Sequence, residues 1–193
     1  MSLPKHKYLL TYRYAEIIHD LNIEFCRKHI DYKSRTKDQM EQGSRSGKQC
    51  IVEGVGLSQT SKKSELKLLG VSKSSFEELL TDYEDFLRQK ELQIYPKIHP
   101  KVTQFRQSAY RLSNLSDLGH LKEKPILPDN PQEAANYLLT LCHMETFVLD
   151  KQIKSLEKRF VQTGGYTENL FRKRLKSRII KRPRSSTDRA RAS

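Results

Sequence analysis

The chain has 193 residues, of which 36% are hydrophobic and 31% charged, and its formal net charge at pH 7 is +13. This length allows one domain with a buried core, and the composition suits helices with solvated outer faces. No run of about 18 apolar residues is present, which excludes a membrane-spanning helix, and the first residues lack a signal-peptide core, so we expect a cytoplasmic protein. Cys26, Cys50 and Cys142 are odd in number and far apart, which predicts buried free thiols rather than disulfides.

The positive charge is concentrated at the C-terminal end. Between Lys158 and Ser193 there are 12 Lys/Arg and 2 acidic residues, a net charge of +10, whereas the preceding residues carry only +3. A basic tail on a nearly balanced body is typical of proteins that bind the phosphate backbone of nucleic acids. The same tail could also serve an acidic protein, a membrane surface or solubility.

The first half of the chain predicts three helices. Apolar residues recur at helical spacing over residues 7–31, and a second helix is predicted over 36–55, with Thr36 as its N-cap and an end around Gly54 to Gly56. Small or apolar residues lie three or four apart on one face of this second helix, so another backbone is expected to come close there, either within the bundle or between copies. These helix-packing or oligomer-interface residues are Gly43, Gly47, Ile51 and Gly54.

The third helix is predicted over residues 62–90. Its lysines Lys62, Lys63 and Lys67 lie near the N-terminus and its acidic residues lie later, an order that opposes the helix dipole. This small electrostatic cost indicates a local role for the three lysines.

The second half begins with a proline-punctuated connection, in which Pro100 could open a short helix. A helix over residues 131–162 follows, capped by Asn130 and ended by Gly164. Residues 164–182 predict a basic C-terminal helix with Thr167 as its N-cap and a short apolar stripe, and residues 183–193 predict a disordered basic tail. The sequence thus predicts an all-α protein, a four-helix bundle over residues 1–163 with an additional basic helix.

The sequence contains no catalytic or metal-binding motif, and we expect neither an enzyme nor a cofactor. Its histidines are dispersed, and Glu53 is expected to form a buried salt bridge or cap rather than to act as a base. The predicted nucleic-acid-binding residues are Arg45, Lys48, Lys62, Lys63, Lys67, Arg172, Lys173, Arg174, Lys176, Arg178, Lys181, Arg182 and Arg184.

Several segments resemble a bacterial family of small basic four-helix-bundle proteins. They are SRSGKQCIVEG, TSKKSELKLLGVSKSSFEELLTDYEDFL, ANYLLTLCHMETFVLDKQIKSLEKRF and GGYTENLFRKR. The family includes proteins encoded in intervening sequences of ribosomal RNA genes and the accessory variability determinant of diversity-generating retroelements. The last two segments resemble the subgroup with an extra C-terminal segment. The family's common motif has Asn where this chain has Cys50.

The resemblance implies a homopentameric ring that associates with a reverse transcriptase and RNA, including an RNA/DNA hybrid, and supports mutagenic reverse transcription without catalysing it. Two alternatives stay open. One is a ribosomal-RNA intervening-sequence protein that binds ribosomal RNA. The other is a protein-only scaffold that oligomerises through the second helix, with the tail as a solubility device.

Overall fold

The computed structural model describes residues 3–113 and 125–180, and this part of the chain is helical, with no strand. The all-α prediction is therefore confirmed for the described residues. Within the described residues a short 3-10 helix, Lys5–Tyr8, is followed by six α-helices. They are α1 (Leu10–His29), α2 (Arg35–Leu57), α3 (Lys62–Gln89), α4 (Pro100–Ser113), α5 (Pro131–Thr163) and α6 (Tyr166–Ile180).

Four of the helices surround a shared core. α1 packs against α2 and α5, and α3 packs against α2 and α5, while α4 covers part of α5. α1 and α5 run antiparallel, because Thr11 hydrogen-bonds Gln152 at 2.8 Å and Lys28 pairs with Asp129 at 3.1 Å. The largest fully buried side chains come from all four helices and include Ile17, Phe25, Ile51, Phe76, Tyr83 and Leu138.

A buried hydrogen-bond network fixes α1 against α2 and α3. The Asn22 amide donates to the Met40 carbonyl at 2.9 Å and to the Ser44 hydroxyl at 3.1 Å, and the Tyr83 hydroxyl donates to Asn22 at 2.6 Å. Because a polar group in the core is costly unless it is paired, this network favours one register of the three helices.

The small-residue face of α2 lies against α3. Ser72 donates to the Gly47 carbonyl at 2.8 Å, and a Cβ added at Gly47 would lie 2.7 Å from the ring of Phe76. At Gly54 the added Cβ would lie 3.5 Å from the Glu65 carbonyl oxygen. Ile51 is fully buried, whereas Gly43 has nothing within 4 Å of the added Cβ. Three of the four small-residue positions therefore serve close packing inside the chain.

The observed helix ends correct two predicted caps, those at Thr36 and Thr167. Ser34, not Thr36, is the N-cap of α2, and its hydroxyl accepts from the Thr36 amide at 3.2 Å. α2 ends at Leu57, within one residue of the predicted end around Gly54 to Gly56, and Gly54 itself packs against α3. α6 begins at Tyr166, so Thr167 lies inside the helix instead of capping it.

The caps of α3 and α5 both depend on side chains, and the sequence predicted the one at α5. The Ser61 hydroxyl accepts from the Ser64 amide at 3.2 Å, and the Asn130 side chain accepts from the Glu133 amide at 3.1 Å. Gly164 ends α5 with a φ of 72°, a left-handed value that favours glycine. Pro100 opens α4 as expected.

The buried acidic residue is not the one predicted. Glu53 is exposed on α2, so the expectation of a buried salt bridge or cap is wrong. Glu145 of α5 is instead fully buried, and neither carboxyl oxygen has a hydrogen-bond partner. Loss of hydration raises the pKa of Glu145 well above its ordinary value, so the group is held in its neutral form.

The predicted state of the cysteines is confirmed. Cys26, Cys50 and Cys142 are free and buried. Burial raises the pKa of Cys26 to about 12, so this thiol is not a reactive nucleophile at neutral pH.

Candidate nucleic-acid interface

The strongest concentration of positive charge in the described structure is α6. Arg172, Lys173, Arg174, Lys176 and Arg178 are all exposed on it. α6 has no extensive packing against another helix of the described chain. Its side chains are therefore available to a partner.

α6 presents cations on all sides rather than on one face. At about 100° per residue, the five basic positions are distributed around the whole helix. Leu170, Phe171 and Leu175 lie between them and are 42%, 61% and 42% exposed. The predicted apolar stripe is therefore interrupted by basic side chains. A helix with this mixed surface is better suited to contact a polyanion than to be buried against a core.

The glycines before α6 set the turn that leads into it. The Gly164 amide donates to the Phe160 carbonyl at 2.9 Å and closes the last turn of α5. The Gly165 amide donates to the Glu168 carboxylate at 3.1 Å, and a carboxylate near a helix N-terminus is favourable. This turn joins α6 directly to the C-terminal end of α5.

A second group of cations lies where α2 ends, α3 begins and α5 ends. Lys5, Lys62 and Arg159 line a cavity of about 360 Å³ there, together with Glu65. Lys62 pairs with Glu65 at 3.0 Å, while Lys5 and Arg159 are exposed and form no ion pair with another described residue. We call Lys5, Lys62 and Arg159 the cavity cations.

The structure divides the predicted binding residues into separate groups. Lys63 and Lys67 are exposed on the first turns of α3, next to Lys62. Arg45 and Lys48 lie instead beside His19 on α1. Partial burial lowers the pKa of His19, and the charges of Lys48 and Arg45 lower it further against the opposing effect of acidic neighbours such as Asp20. The remaining three, Lys181, Arg182 and Arg184, lie outside the described residues, as does the 183–193 tail.

Sequence reasoning missed Lys5 and Arg159. They are 154 positions apart and meet at one cavity only because the 3-10 helix and the end of α5 meet there. No local spacing indicates such a meeting. Arg159 lies within the basic C-terminal segment and could have been predicted as a binding residue on that basis.

The described residues show no arrangement typical of a metal site, since no three His, Cys, Asp or Glu side chains are grouped to hold an ion. None of the helices in this part of the chain is long and apolar enough to cross a membrane. Comparison with family models, with curated proteins and with solved structures finds no match to this chain.

Proposed function

We propose that this protein binds RNA through α6 and the adjacent cavity cations, as a non-catalytic accessory subunit. One observation carries the proposal: α6 is an exposed helix with five basic side chains between Arg172 and Arg178 and no extensive packing of its own. Keeping so many like charges close together is unfavourable unless a polyanion neutralises them.

The expected mode of binding is contact with phosphates. Arginine and lysine on a freely accessible helix release counterions from the RNA backbone and position it without reading its sequence. The cavity cations, with Lys63 and Lys67, extend the positive surface beyond α6. Binding should therefore be strongly weakened by salt.

The biological setting that we propose is a diversity-generating retroelement. There the protein would be a four-helix bundle assembled as a homopentameric ring, with a reverse transcriptase and its template RNA as partners. The residue-level resemblance supports this setting, and the packing of α1, α2, α3 and α5 around one core is compatible with it. The test is to co-purify the protein with its native RNA and to measure the particle mass before and after ribonuclease.

Two results would decide the setting. A ribonuclease-sensitive particle that contains a reverse transcriptase supports the retroelement. A particle that contains ribosomal RNA without a reverse transcriptase would support the ribosomal alternative. A protein-only scaffold built through the small-residue face of α2 is disfavoured, because α3 already covers Gly47 and Gly54.

RNA binding itself is tested by changing charges on α6. The test variant replaces Arg172, Lys173, Arg174, Lys176 and Arg178 with Gln. The control variant removes the same number of positive charges, also by replacement with Gln, at the end of the molecule where α1 and α3 end and α2 begins. Its exposed positions are Arg27, Lys33, Arg35, Arg88 and Lys90. Affinity for a labelled single-stranded RNA is measured over a series of salt concentrations.

We expect the α6 variant to reduce the slope of log affinity against log salt by up to about 3.5, since each phosphate contact on a single strand contributes about 0.7. The control should retain most of the slope. Equal effects of the two variants, or an affinity of the unmodified protein that does not depend on salt, would contradict the proposal.

A further inference from the structure

A groove of about 530 Å³ lies between α3, α4, α5 and the segment that joins α3 to α4. Its volume is within the range of sites that hold small organic groups. Its lining includes Ile94, Tyr95, Lys97, Arg106, His143 and Phe147.

One wall of the groove is held in place by Asn136 of α5. Its side-chain oxygen accepts from the Tyr95 amide at 2.7 Å, and its amide donates to the Gln93 carbonyl at 2.9 Å. Tyr95 also stacks on His99, with the ring centroids 4.1 Å apart. The joining segment is therefore fixed to α5, and the groove is formed before any ligand enters.

The groove combines apolar surface with unpaired positive charge. Phe147 is 59% exposed and Ile94 is 49% exposed at its edge. Lys97 and Arg106 form no ion pair with any described residue, and Glu84 is the single acidic residue among those that line the groove. The surroundings suit a flat aromatic group that is attached to a negatively charged group.

The imidazole of His143 adds a neutral hydrogen-bonding group. Partial desolvation lowers the pKa of His143; the Glu84 charge opposes this shift, and Lys97 and Arg106 add to it. At neutral pH the ring can both donate and accept a hydrogen bond.

A line of lysines connects the groove with α6. Phe147, Lys151, Lys154 and Lys158 are spaced four, three and four residues apart, so they lie on one face of α5. Lys151 lies over the Phe147 ring, 4.4 Å from its centroid, and Lys154 pairs with Asp150 at 2.6 Å. From Phe147 to Lys158 this path extends about 16 Å along the helix, and Lys158 lies about 9 Å before Gly164, where the turn into α6 begins. We call Lys151, Lys154 and Lys158 the α5 lysine line.

We propose that the groove holds an unstacked base of a single-stranded RNA whose phosphates follow the α5 lysine line to α6. The inference rests on the proposed RNA binding and adds a preference for single strands. An exposed aromatic ring beside a cationic path is the usual combination in proteins that bind single strands, because every base can stack on such a ring. A duplex, whose bases are already stacked, cannot fill the groove.

The experiment compares Phe147→Ala with Tyr32→Ala in the full chain. Tyr32 is a matched control, since it is 78% exposed and also has a lysine, Lys33, over its ring. A second pair is Arg106→Gln with Arg27→Gln, two exposed arginines of which only the first lines the groove. Affinities for a labelled oligouridylate and for a duplex RNA of the same length are measured at one salt concentration, and circular dichroism checks folding.

Phe147→Ala should weaken oligouridylate binding about tenfold and leave duplex binding unchanged, consistent with the loss of one stacked base. Arg106→Gln should likewise weaken oligouridylate binding and leave duplex binding unchanged. Both controls should behave like the unmodified protein. Two results would overturn the inference while the proposed function stands, provided that binding depends on salt. In the first, neither groove variant alters RNA binding. In the second, both variants weaken the binding of single strand and duplex equally. No binding of either RNA by the unmodified protein would overturn both.

Discussion

Gly47 and Gly70 are both interior helix residues, and their surroundings are opposite. A Cβ at Gly47 would lie 2.7 Å from the buried ring of Phe76, whereas a Cβ at Gly70 has nothing within 4 Å. Intrinsic helix propensity gives both glycines the same cost, about 1 kcal/mol relative to alanine. The sequence placed only Gly47 on the face where another backbone was expected to come close, and the structure shows that the approaching helix is α3.

Alanine substitutions at these two positions should therefore change stability in opposite directions. Gly47→Ala should destabilise the fold by about 1–3 kcal/mol, because the Phe76 ring is fully buried and cannot move aside. Gly70→Ala should stabilise it by about 0.5–1 kcal/mol. Urea unfolding of both variants measures the difference in unfolding free energy. If Gly70→Ala destabilises the fold as much as Gly47→Ala, the close approach of Phe76 to Gly47 is not the cause of the destabilisation.

Glu145 gives a residue-scale prediction about pH. Desolvation raises the pKa of Glu145 in the folded protein well above its ordinary value of 4.5, so the folded state keeps a proton that the unfolded state releases. The contribution of Glu145 to the free energy of unfolding is therefore fully present below about pH 4.5. It is lost as the pH rises towards the folded-state pKa.

Glu145→Gln removes this titration while keeping the shape of the side chain. The variant should gain stability relative to the unmodified protein as the pH rises from 4.5, by at most about 1.4 kcal/mol per pH unit. Chemical unfolding at a series of pH values gives the difference in unfolding free energy. A difference that stays constant from pH 4 to pH 8 would mean that Glu145 is hydrated or paired in solution.

At the scale of the element, α5 is the helix whose start depends most clearly on local chemistry. Asn130 caps it through the Glu133 amide, and Pro131 occupies its first position. Lys101 of α4 pairs with Glu133 in the same turn, so the cap also joins two helices. The sequence predicted this start, with Asn130 as the cap.

Removing the cap should have a measurable cost. Asn130→Ala should lower the unfolding free energy by about 1 kcal/mol, because one amide at the start of α5 loses its acceptor. Asn130→Ser keeps an acceptor and should be close to the unmodified protein. Thermal unfolding compares the two variants, and equal losses for Ala and Ser would assign the effect to a contact other than the cap.

At the scale of the whole molecule, the helices that share the core are separate from the helix that carries the charge. The buried side chains come from residues up to Leu149, and the described side chains of α6 contribute none of them. Stability and RNA binding should therefore depend on different parts of the chain.

A protein shortened to end at Thr163 tests this separation. Its thermal midpoint should change by less than about 2 °C, since no buried contact is removed, while RNA affinity should fall at least tenfold through the lost phosphate contacts. Circular dichroism melting and an RNA-binding titration are the two measurements. A large loss of thermal stability would show that α6 packs on the core in solution.

The sequence by itself determined the helical class, the bounds of α1, α2, α3 and α5 to within about three residues, the α5 cap and the basic character of the C-terminal end. Each of these depends on contacts between residues close in the chain, through helical periodicity, capping and charge, so local patterns are sufficient. The positions of the prolines and of Gly164 could be interpreted for the same reason.

Only the tertiary structure decided which acid is buried, which helix packs against Gly47 and which cations share a surface. Glu53 and Glu145 both lie on helices beside apolar residues, and their burial depends on how α2 and α5 are rotated towards the core. Lys5 and Arg159 meet at one cavity only through the packing of distant segments. These features depend on long-range contacts, and the energy that selects among such contacts comes from the whole core rather than from any local segment.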